Sequence, residues 1–302
     1  MKIVFMGTPD FAVASLDALI QANFDVVAVI TAPDKPAGRG QKLNESAVKK
    51  YASERGIPVL QPEKLKNPVF LEELKSYNAD LQVVVAFRML PEVVWSMPPK
   101  GTINLHGSLL PQYRGAAPIN HAILNGEKET GVTTFFLTHE IDTGAIILSD
   151  RVAIGDDETA GELHDRLMIV GAKLLVKTVT AITEGNYTEQ PQPQTETLKH
   201  APKIFKEDCK IDWNNSTELI HNFIRGLSPY PTSFTLLNDK TLKIFKAEVE
   251  YTEPGIAAGG FLTDGKTFLK FATKDGFIKL LDVQYEGKKR MQVEDFLRGM
   301  RL

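Results

Sequence analysis

Short apolar runs alternate with helical patterns along residues 1–150, and no other feature limits the possible folds as strongly. The runs at 3–6, 26–30 and 83–86 are continuous, as expected of strands that are covered on both faces. Helical patterns fill the stretches between them, and repeated strand–helix units form parallel sheets with right-handed crossovers. The pattern therefore predicts an α/β domain with a doubly wound, Rossmann-like, mostly parallel sheet.

Two more strands and a long helix complete this predicted domain. Residues 130–137 and 145–152 read as strands on either side of the short segment 139–144. From Leu163 onward, apolar residues recur at steps of three and four, which is typical of an amphipathic helix, and Thr159 is placed to cap it. The first predicted domain therefore spans residues 1–186.

A change in composition separates this domain from the rest of the chain. Residues 187–202 have no apolar periodicity and contain two Gln-Pro steps, which favours an extended linker. Beyond it, short apolar strands separated by turn signals predict a smaller, OB-like β-barrel domain over 203–302. This second domain carries more basic than acidic side chains, which favours an anionic partner.

Residues 102–115 read Thr-Ile-Asn-Leu-His-Gly-Ser-Leu-Leu-Pro-Gln-Tyr-Arg-Gly and contain the strongest sign of chemistry. Successive side chains of a strand alternate between its two faces, so Asn104 and His106 project to the same side. The glycine and proline that follow turn the chain into an ordered loop. A carboxamide and an imidazole in one pocket suit the polarisation of a carbonyl group.

Asp142 begins an Asp-Thr-Gly sequence, and we interpret it as the third member of this site. Aspartic proteases need two such carboxylates, whereas this chain has the sequence once. If the two strands are neighbours, the carboxylate stabilises and orients the imidazolium of His106. The three residues include no nucleophile, so they predict acyl transfer to an incoming amine or to water. Taken singly, each is more often structural, as a strand-end amide, a buried histidine or the start of an Asx-turn.

Several other functional classes are disfavoured. The chain has one cysteine, Cys209, so an internal disulfide is impossible, and we expect no metal centre. We find no apolar run near the roughly 20 residues that span a bilayer and no signal peptide, so we expect a cytoplasmic protein without membrane contact. The early glycine Gly7 lacks the pattern of a dinucleotide site, and no Gly-x-Ser-x-Gly sequence occurs.

The stretch Asn104-Leu-His106-Gly-Ser-Leu-Leu-Pro111-x-Tyr-Arg114-Gly, followed by Asp142, resembles the 10-formyltetrahydrofolate-dependent formyltransferase family. The core of the resemblance covers about residues 1–185. It implies that Asn104, His106 and Asp142 are catalytic and that 10-formyltetrahydrofolate is the formyl donor. It also implies that the folate site is lined by Ser108, Leu109, Leu110, Pro111, Phe87, Arg88 and Leu90.

Two further segments resemble the family members that formylate initiator methionyl-tRNA for translation initiation. They are Met-Gly-Thr-Pro-Asp-Phe at 6–11 and the basic stretch Pro-Asp-Lys-Pro-Ala-Gly-Arg-Gly-Gln-Lys-Leu at 33–43. With the second domain, the resemblance covers nearly the whole chain and implies a monomer. We expect 33–43 to be a mobile loop that approaches phosphates, with Arg39 as its central contact. The expected RNA contacts are Lys35, Arg39, Lys42, Lys243 and Lys246.

One segment departs from the pattern of these relatives. They commonly have an aromatic-Gly step after the strand equivalent to 83–86, whereas this chain reads Phe87-Arg88-Met89-Leu90-Pro91 and is one residue shorter. That loop usually borders the pterin ring. The related purine-pathway formyltransferase has an arginine nearby, so Arg88 is compatible with the family.

Other functions remain open at this point. A formyltransferase for an amino-sugar nucleotide would share the three-residue site and a similar second domain, but the basic stretch disfavours it. The purine-pathway enzyme lacks the barrel, and a formyl-folate hydrolase would use water in place of the amine. A non-enzymatic RNA-binding protein on the same scaffold is disfavoured because Asn104, His106 and Asp142 are all present.

Overall fold

The computed structural model describes residues 1–37, 42–194 and 197–299. The chain divides into two compact units. The first contains Met1–Gly115, Gly131–Val152 and His164–Lys199, and the second contains Ala116–Thr130, Ala153–Leu163 and His200–Leu302. No single point along the chain separates the units, because two short segments of the amino-terminal region pack with the second.

The elements up to residue 184 alternate as predicted, with additional short strands and helices between them. In chain order they are β1 (Lys2–Gly7), α1 (Asp10–Gln21), β2 (Asp25–Ile30), β3 (Lys35–Ala37), β4 (Lys42–Asn44), α2 (Ala47–Glu54), β5 (Val59–Leu60), α3 (Pro68–Ser76), β6 (Leu81–Val85), α4 (Glu92–Trp95), β7 (Thr102–His106), β8 (Arg114–Gly115), α5 (Pro118–Leu124), β9 (Glu129–Phe136), β10 (Ile146–Ala153) and α6 (Ala160–Glu184).

Seven strands form the main sheet in the order β10-β9-β7-β6-β1-β2-β5. The pairs from β5 to β7 are all parallel, and β9 joins antiparallel to β7. On β1 the four residues from Ile3 to Met6 are completely buried, which explains the continuous apolar run in the sequence. The doubly wound, mostly parallel sheet is therefore confirmed.

Polar caps fix where the helices beside this sheet begin. Ser46 accepts a hydrogen bond from the backbone of Lys49 at the start of α2, and Asn67 does the same for Val69 at the start of α3. At α6, the backbone N–H of Thr159 donates to Glu162, and the N–H of Glu162 donates to the hydroxyl oxygen of Thr159. This reciprocal pair is a capping box, so the predicted cap at Thr159 is confirmed.

The described ends of the basic stretch 33–43 form an antiparallel pair of short strands, β3 and β4, with Lys35 opposite Asn44. At these ends the backbone is regular, whereas the composition favours an irregular loop. The ammonium group of Lys49 on α2 contacts carboxylates on both sides of this pair, Asp34 before β3 and Glu45 after β4. Arg39 lies outside the described residues, so the mobility of the stretch stays a prediction.

The elements beyond residue 199 form a second, antiparallel sheet. They are β11 (His200–Ala201), a 3₁₀ helix (Lys206–Cys209), α7 (Thr217–Leu227), β12 (Ser233–Leu237), β13 (Lys240–Glu250), β14 (Phe261–Thr263), β15 (Leu269–Ala272), β16 (Phe277–Tyr285), β17 (Met291–Gln292) and α8 (Val293–Arg298).

This sheet has the order β12-β13-β16-β15-β14, and β17 pairs with β16. Its core includes Trp213, whose ring stacks on Phe271 with 4.7 Å between centroids, and Ile224 of α7. The alternation of buried and exposed residues along β12 and β13 fits a sheet with one face on the core. The OB-like second domain predicted from the sequence is therefore confirmed.

None of the described helices combines the length and the hydrophobicity that a membrane-spanning helix requires.

Candidate active site

Strand β7 carries Asn104 and His106 to the carboxyl edge of the parallel strands. It lies between β6 and β9, where Asn104 pairs with Val84 and Phe135, and His106 pairs with Thr133. Because the two residues are two positions apart, their side chains lie on the same side of the sheet. Ligands of open α/β sheets bind outside the carboxyl ends of the strands, so both residues stand where a ligand is expected.

His106 is buried, and its two ring nitrogens face different partners. Nε2 lies 2.8 Å from the backbone oxygen of Tyr113, and Nδ1 lies 3.8 Å from Oδ2 of Asp142. Since a carbonyl oxygen only accepts hydrogen bonds, Nε2 donates to it, and Nδ1 is the ring nitrogen that faces Asp142. The distance to Asp142 is too long for a hydrogen bond. The hydrogen bond that orients the imidazole therefore comes from Tyr113, whereas we expected it from Asp142.

Asp142 lies in the loop between β9 and β10 and has a left-handed backbone conformation, with φ at +55°. Its Oδ2 accepts a hydrogen bond from the backbone N–H of Gly115 at 2.9 Å. Two residues further on, a Cβ atom on Gly144 would lie 1.6 Å from the backbone oxygen of Phe136, so this position has no room for a side chain. A tight turn and a backbone donor together hold the carboxylate beside His106.

Asn104 is half-buried, and its carboxamide forms no hydrogen bond within residues 1–37, 42–194 and 197–299. A structural asparagine at the end of a strand normally bonds to the backbone around it. The amide group of Asn104 is therefore available to a bound molecule. Its N–H groups and a protonated Nδ1 of His106 are the two donors that this edge of the sheet offers to a carbonyl oxygen.

The loop 108–111 follows β7 and is anchored to β9 by one hydroxyl group. Thr133 Oγ1 donates to the backbone oxygen of Ser108 at 2.7 Å and accepts from the N–H of Leu110 at 3.2 Å. The Ser108 hydroxyl is completely buried and donates to the backbone oxygen of Gln112. Of the predicted folate contacts here, Leu110 and Pro111 are also buried, and Leu109 is half-exposed. Ser108 therefore supports the loop and is not placed as a nucleophile.

Residues 87–90 follow β6 at the same edge of the sheet. Phe87 is half-buried, Leu90 is buried in the core, and the Arg88 side chain donates to the backbone oxygens of Pro62 and Glu63. In the described part of the chain, the backbone N–H and C=O groups of 87–90 form no hydrogen bonds. An open backbone edge of this kind suits a flat ring with donors and acceptors on its rim.

The residues predicted to contact RNA lie in both units. Lys35 is exposed in β3, Lys42 begins β4, and Arg39 lies outside the described residues. In the second unit, Lys246 is exposed and Lys243 is half-exposed, both on β13. The described structure therefore assigns positions to four of the five residues.

Sequence reasoning missed one neighbour of the site, Gln192, which lies in the predicted linker. Its side-chain amide donates to the backbone oxygens of Asp142 and Gly144. A glutamine between prolines carries no signal of such a contact, because the partners are distant in sequence. Among the described residues, no three His, Cys, Asp or Glu side chains are placed to hold a metal ion.

Comparisons with known proteins show which family this chain belongs to. The formyl transferase family matches residues 1–179, and the C-terminal domain of formyl transferases matches residues 203–301. The methionyl-tRNA formyltransferase of Azobacteroides pseudotrichonymphae is 57% identical, over 99% of this chain and 95% of its own length. That of Bacteroides thetaiotaomicron is 53% identical, over 100% of this chain and 96% of its own.

Solved structures share the fold at lower identity. An N-formyltransferase from Helicobacter canadensis, in complex with folinic acid and dTDP-3-aminofucose, is 24% identical with a TM-score of 0.69. The match covers 94% of this chain and 99% of that one. HypX from Aquifex aeolicus, in complex with tetrahydrofolic acid, is 17% identical with a TM-score of 0.68, over 98% of this chain and 47% of that one. This chain matches both formyl transferase domains, and it is 53% and 57% identical to two methionyl-tRNA formyltransferases over nearly its full length. It therefore belongs to the formyl transferase family, among the methionyl-tRNA formyltransferases.

Proposed function

We propose that this enzyme transfers the formyl group of 10-formyltetrahydrofolate to the free amino group of initiator methionyl-tRNA. The products are N-formylmethionyl-tRNA and tetrahydrofolate, and the reaction serves translation initiation. The observation that carries the proposal is the sequence identity to methionyl-tRNA formyltransferases, which reaches 57% over 99% of this chain. In addition, Asn104, His106 and Asp142 lie together at one edge of the sheet.

The edge formed by residues 87–90 and 108–111 fits a folate. The unpaired backbone groups of 87–90 match the donors and acceptors on the rim of a pterin ring, and Phe87 and Leu109 add apolar surface. The bound folate supplies an activated formyl group. Arg88 supports this edge through Pro62 and Glu63, so its proposed contribution to folate binding is indirect.

Asn104 and His106 stabilise the negative charge that develops on the formyl oxygen during attack. The free amide of Asn104 donates one hydrogen bond, and the protonated Nδ1 of His106 donates the other. Because Tyr113 fixes the ring through Nε2, Nδ1 needs no reorientation as the charge forms. Donors of this kind each contribute about 10²-fold to 10³-fold to kcat in comparable sites.

Asp142 handles the proton that leaves the attacking amine. Its Oδ1 has no hydrogen bond to the described chain, whereas Oδ2 is held by Gly115. The carboxylate also faces Nδ1 of His106 across 3.8 Å. Since no described side chain at this edge is placed as a nucleophile, the amine attacks the formyl carbon directly, and proximity supplies a large part of the acceleration. As the bond from the formyl carbon to N10 of the folate breaks, N10 takes up a proton in place of the one that the amine releases, which leaves tetrahydrofolate.

Lys243 and Lys246 of the second unit are the proposed contacts with the RNA backbone. Lys243 and Lys246 are three residues apart, so a regular strand would direct them to opposite faces. Phe245 is an extra residue that forms a β-bulge in β13. Because of this bulge, Lys243 lies opposite Gln284 of β16 and Lys246 lies opposite Asp282. Gln284 and Asp282 are two residues apart on β16, so they share a face, and the two lysines share it with them. Neither lysine forms an ion pair within the described residues, unlike Lys270, which lies 2.6 Å from Glu250.

We further propose a monomer that acts in the cytoplasm, with a catalytic domain at 1–186, a linker at 187–202 and a tRNA-binding domain at 203–302. Arg39 stays a proposed RNA contact together with Lys35 and Lys42. These assignments rest on the likeness to methionyl-tRNA formyltransferases and on the matches at 1–179 and 203–301.

A choice among acceptors tests the proposed function. With 10-formyltetrahydrofolate as donor, we expect formylation of initiator methionyl-tRNA and no product from an amino-sugar nucleotide, measured by mass spectrometry of the acceptor. Elongator methionyl-tRNA in a parallel reaction measures discrimination between tRNAs. Formylation of the sugar nucleotide alone would contradict the proposal, and release of formate without an acylated product would indicate a hydrolase.

Replacing both Lys243 and Lys246 with alanine should raise the KM for tRNA and leave kcat nearly unchanged. Two lost phosphate contacts should lower the slope of log affinity against log salt by about 2. The matched control replaces Lys266 and Lys274, two exposed lysines of the same unit, with alanine. If the two double variants have equal KM values for tRNA and equal slopes of log affinity against log salt, Lys243 and Lys246 do not contact the RNA.

A further inference from the structure

Residues 190–194 and 197–199, which the sequence predicts to be part of a linker, form hydrogen bonds with the loops around His106 and Asp142. Gln190 exchanges two backbone hydrogen bonds with Ile146, at 2.8 and 2.9 Å. Lys199 accepts a hydrogen bond from the backbone N–H of Tyr113 at 2.6 Å. Gln112 donates to the backbone of Thr197 and accepts from that of Lys199. We call this segment the strap, meaning its described residues 190–194 and 197–199.

Gln192 is the strap residue whose side chain reaches the catalytic carboxylate loop. Its amide nitrogen donates to the backbone oxygens of Asp142 at 2.8 Å and Gly144 at 2.9 Å. Its amide oxygen accepts from Nε and one terminal nitrogen of Arg114, at 3.1 and 2.5 Å. Both N–H groups and the oxygen of the carboxamide are therefore in use, which is uncommon for a half-exposed side chain.

These contacts close a ring around Asp142. Arg114 binds Gln192, Gln192 binds the backbone of Asp142, and Oδ2 of Asp142 binds the backbone of Gly115, the residue after Arg114. The left-handed φ of Asp142 is a conformation that non-glycine residues seldom adopt without support. Gln192 supplies that support by holding the carbonyl group of Asp142 itself.

We propose that Gln192 is a positioning residue for Asp142, and that it acts from the strap through its two N–H groups. The strap holds the two groups that set the geometry of His106: it binds the backbone of Tyr113, whose oxygen orients the imidazole, and the backbone of Asp142. The inference rests on the proposed function only in that Asp142 must take part in formyl transfer.

The chemistry of the contacts separates this role from simple attachment of the strap. Attachment needs only backbone bonds, such as those of Gln190, or the contact with Arg114. Glutamate at position 192 keeps an acceptor for Arg114, with a stronger charge interaction, but has no N–H groups for Asp142 and Gly144. The Gln192→Glu variant therefore keeps the strap attached and removes the two bonds that position Asp142.

The test compares steady-state formylation by Gln192→Glu, Gln192→Ala and the control Gln194→Ala, an exposed glutamine of the same strap. We expect kcat to fall about 100-fold in both Gln192 variants, because small misplacement of a catalytic group has effects of that size. The KM values for folate and tRNA should stay within about twofold, and Gln194→Ala should match the unchanged enzyme. Thermal unfolding of each variant checks that the fold is retained.

A double variant that combines Gln192→Ala with Asp142→Asn gives the decisive comparison. If Gln192 acts through Asp142, adding Gln192→Ala to Asp142→Asn should cost less than about twofold in kcat. Losses that multiply in the double variant, or a Gln192→Ala enzyme as fast as Gln194→Ala, would overturn the inference. A full rate in Asp142→Asn alone would instead contradict the proposed mechanism, so the two failures are distinguishable.

Discussion

Replacing His106 with alanine should lower kcat for formyl transfer by about 10³-fold or more. In the proposed mechanism, the change removes a hydrogen-bond donor to the formyl oxygen and the imidazole partner of Asp142, which lies 3.8 Å away. Each effect alone contributes about 10²-fold or more in comparable sites. The measurement is single-turnover formylation with saturating folate and tRNA, which isolates the chemical step. Binding of tRNA, measured separately, should change little, because His106 is buried at the folate edge of the first unit.

Two further variants make this prediction specific. His200→Ala changes an exposed histidine and should leave the rate as it is. His106→Gln retains an N–H donor but cannot take up a proton, so we expect a rate between those of His106→Ala and the unchanged enzyme. A His106→Ala enzyme within tenfold of the unchanged rate would contradict the mechanism. Full activity in His106→Gln would limit the role of His106 to hydrogen bonding.

Replacing Gly144 with alanine should destabilise the protein and inactivate it together. The new Cβ atom would lie 1.6 Å from the backbone oxygen of Phe136 and 2.8 Å from its carbonyl carbon. Neither atom belongs to a flexible side chain, so the loop from Asp142 to Gly144 must move. We expect the free energy of unfolding to fall by about 3 kcal/mol, at the upper end of the usual range for overpacking. The displaced carboxylate should lower kcat by about 100-fold in the protein that remains folded.

The control for this change is Gly299→Ala, where the new Cβ would meet its nearest atoms at 3.7 and 3.8 Å, which are ordinary contacts. Thermal unfolding followed by circular dichroism, together with kcat measured well below the transition, separates the two effects. If Gly144→Ala unfolds and reacts like Gly299→Ala, the loop tolerates a side chain. The close approach to Phe136 would then not fix the position of Asp142.

Local patterns predicted the first sheet well because its strands are covered on both faces. The continuous apolar run from Ile3 to Met6 and the stripe that starts at Leu163 each follow from burial of one element, and neighbours in the chain suffice to show them. The same holds for the cap at Thr159, whose partner Glu162 is three residues away. Such features depend on spacing within one element, which a sequence displays directly.

Features that depend on residues distant in sequence could not be predicted in this way. The paired strands β3 and β4 are flanked by Asp34 and Glu45, which both contact Lys49 of α2. The shared face of Lys243 and Lys246 depends on a bulge in β13, which strand periodicity does not reveal. In each case a contact through space changes the structure that the local pattern favours.

Residue patterns and motifs were enough to predict the α/β class of the first domain, the strand that presents Asn104 and His106, and the family that the motif resembles. The folded chain was needed to show how His106 is held, by the backbone oxygen of Tyr113, and how Asp142 is supported, by Gln192 from a segment that reads as a linker. Periodicity and motifs reflect burial and bonding within one segment. The hydrogen bonds around His106 and Asp142 join side chains to backbone groups of surrounding loops, whose positions depend on the whole folded chain.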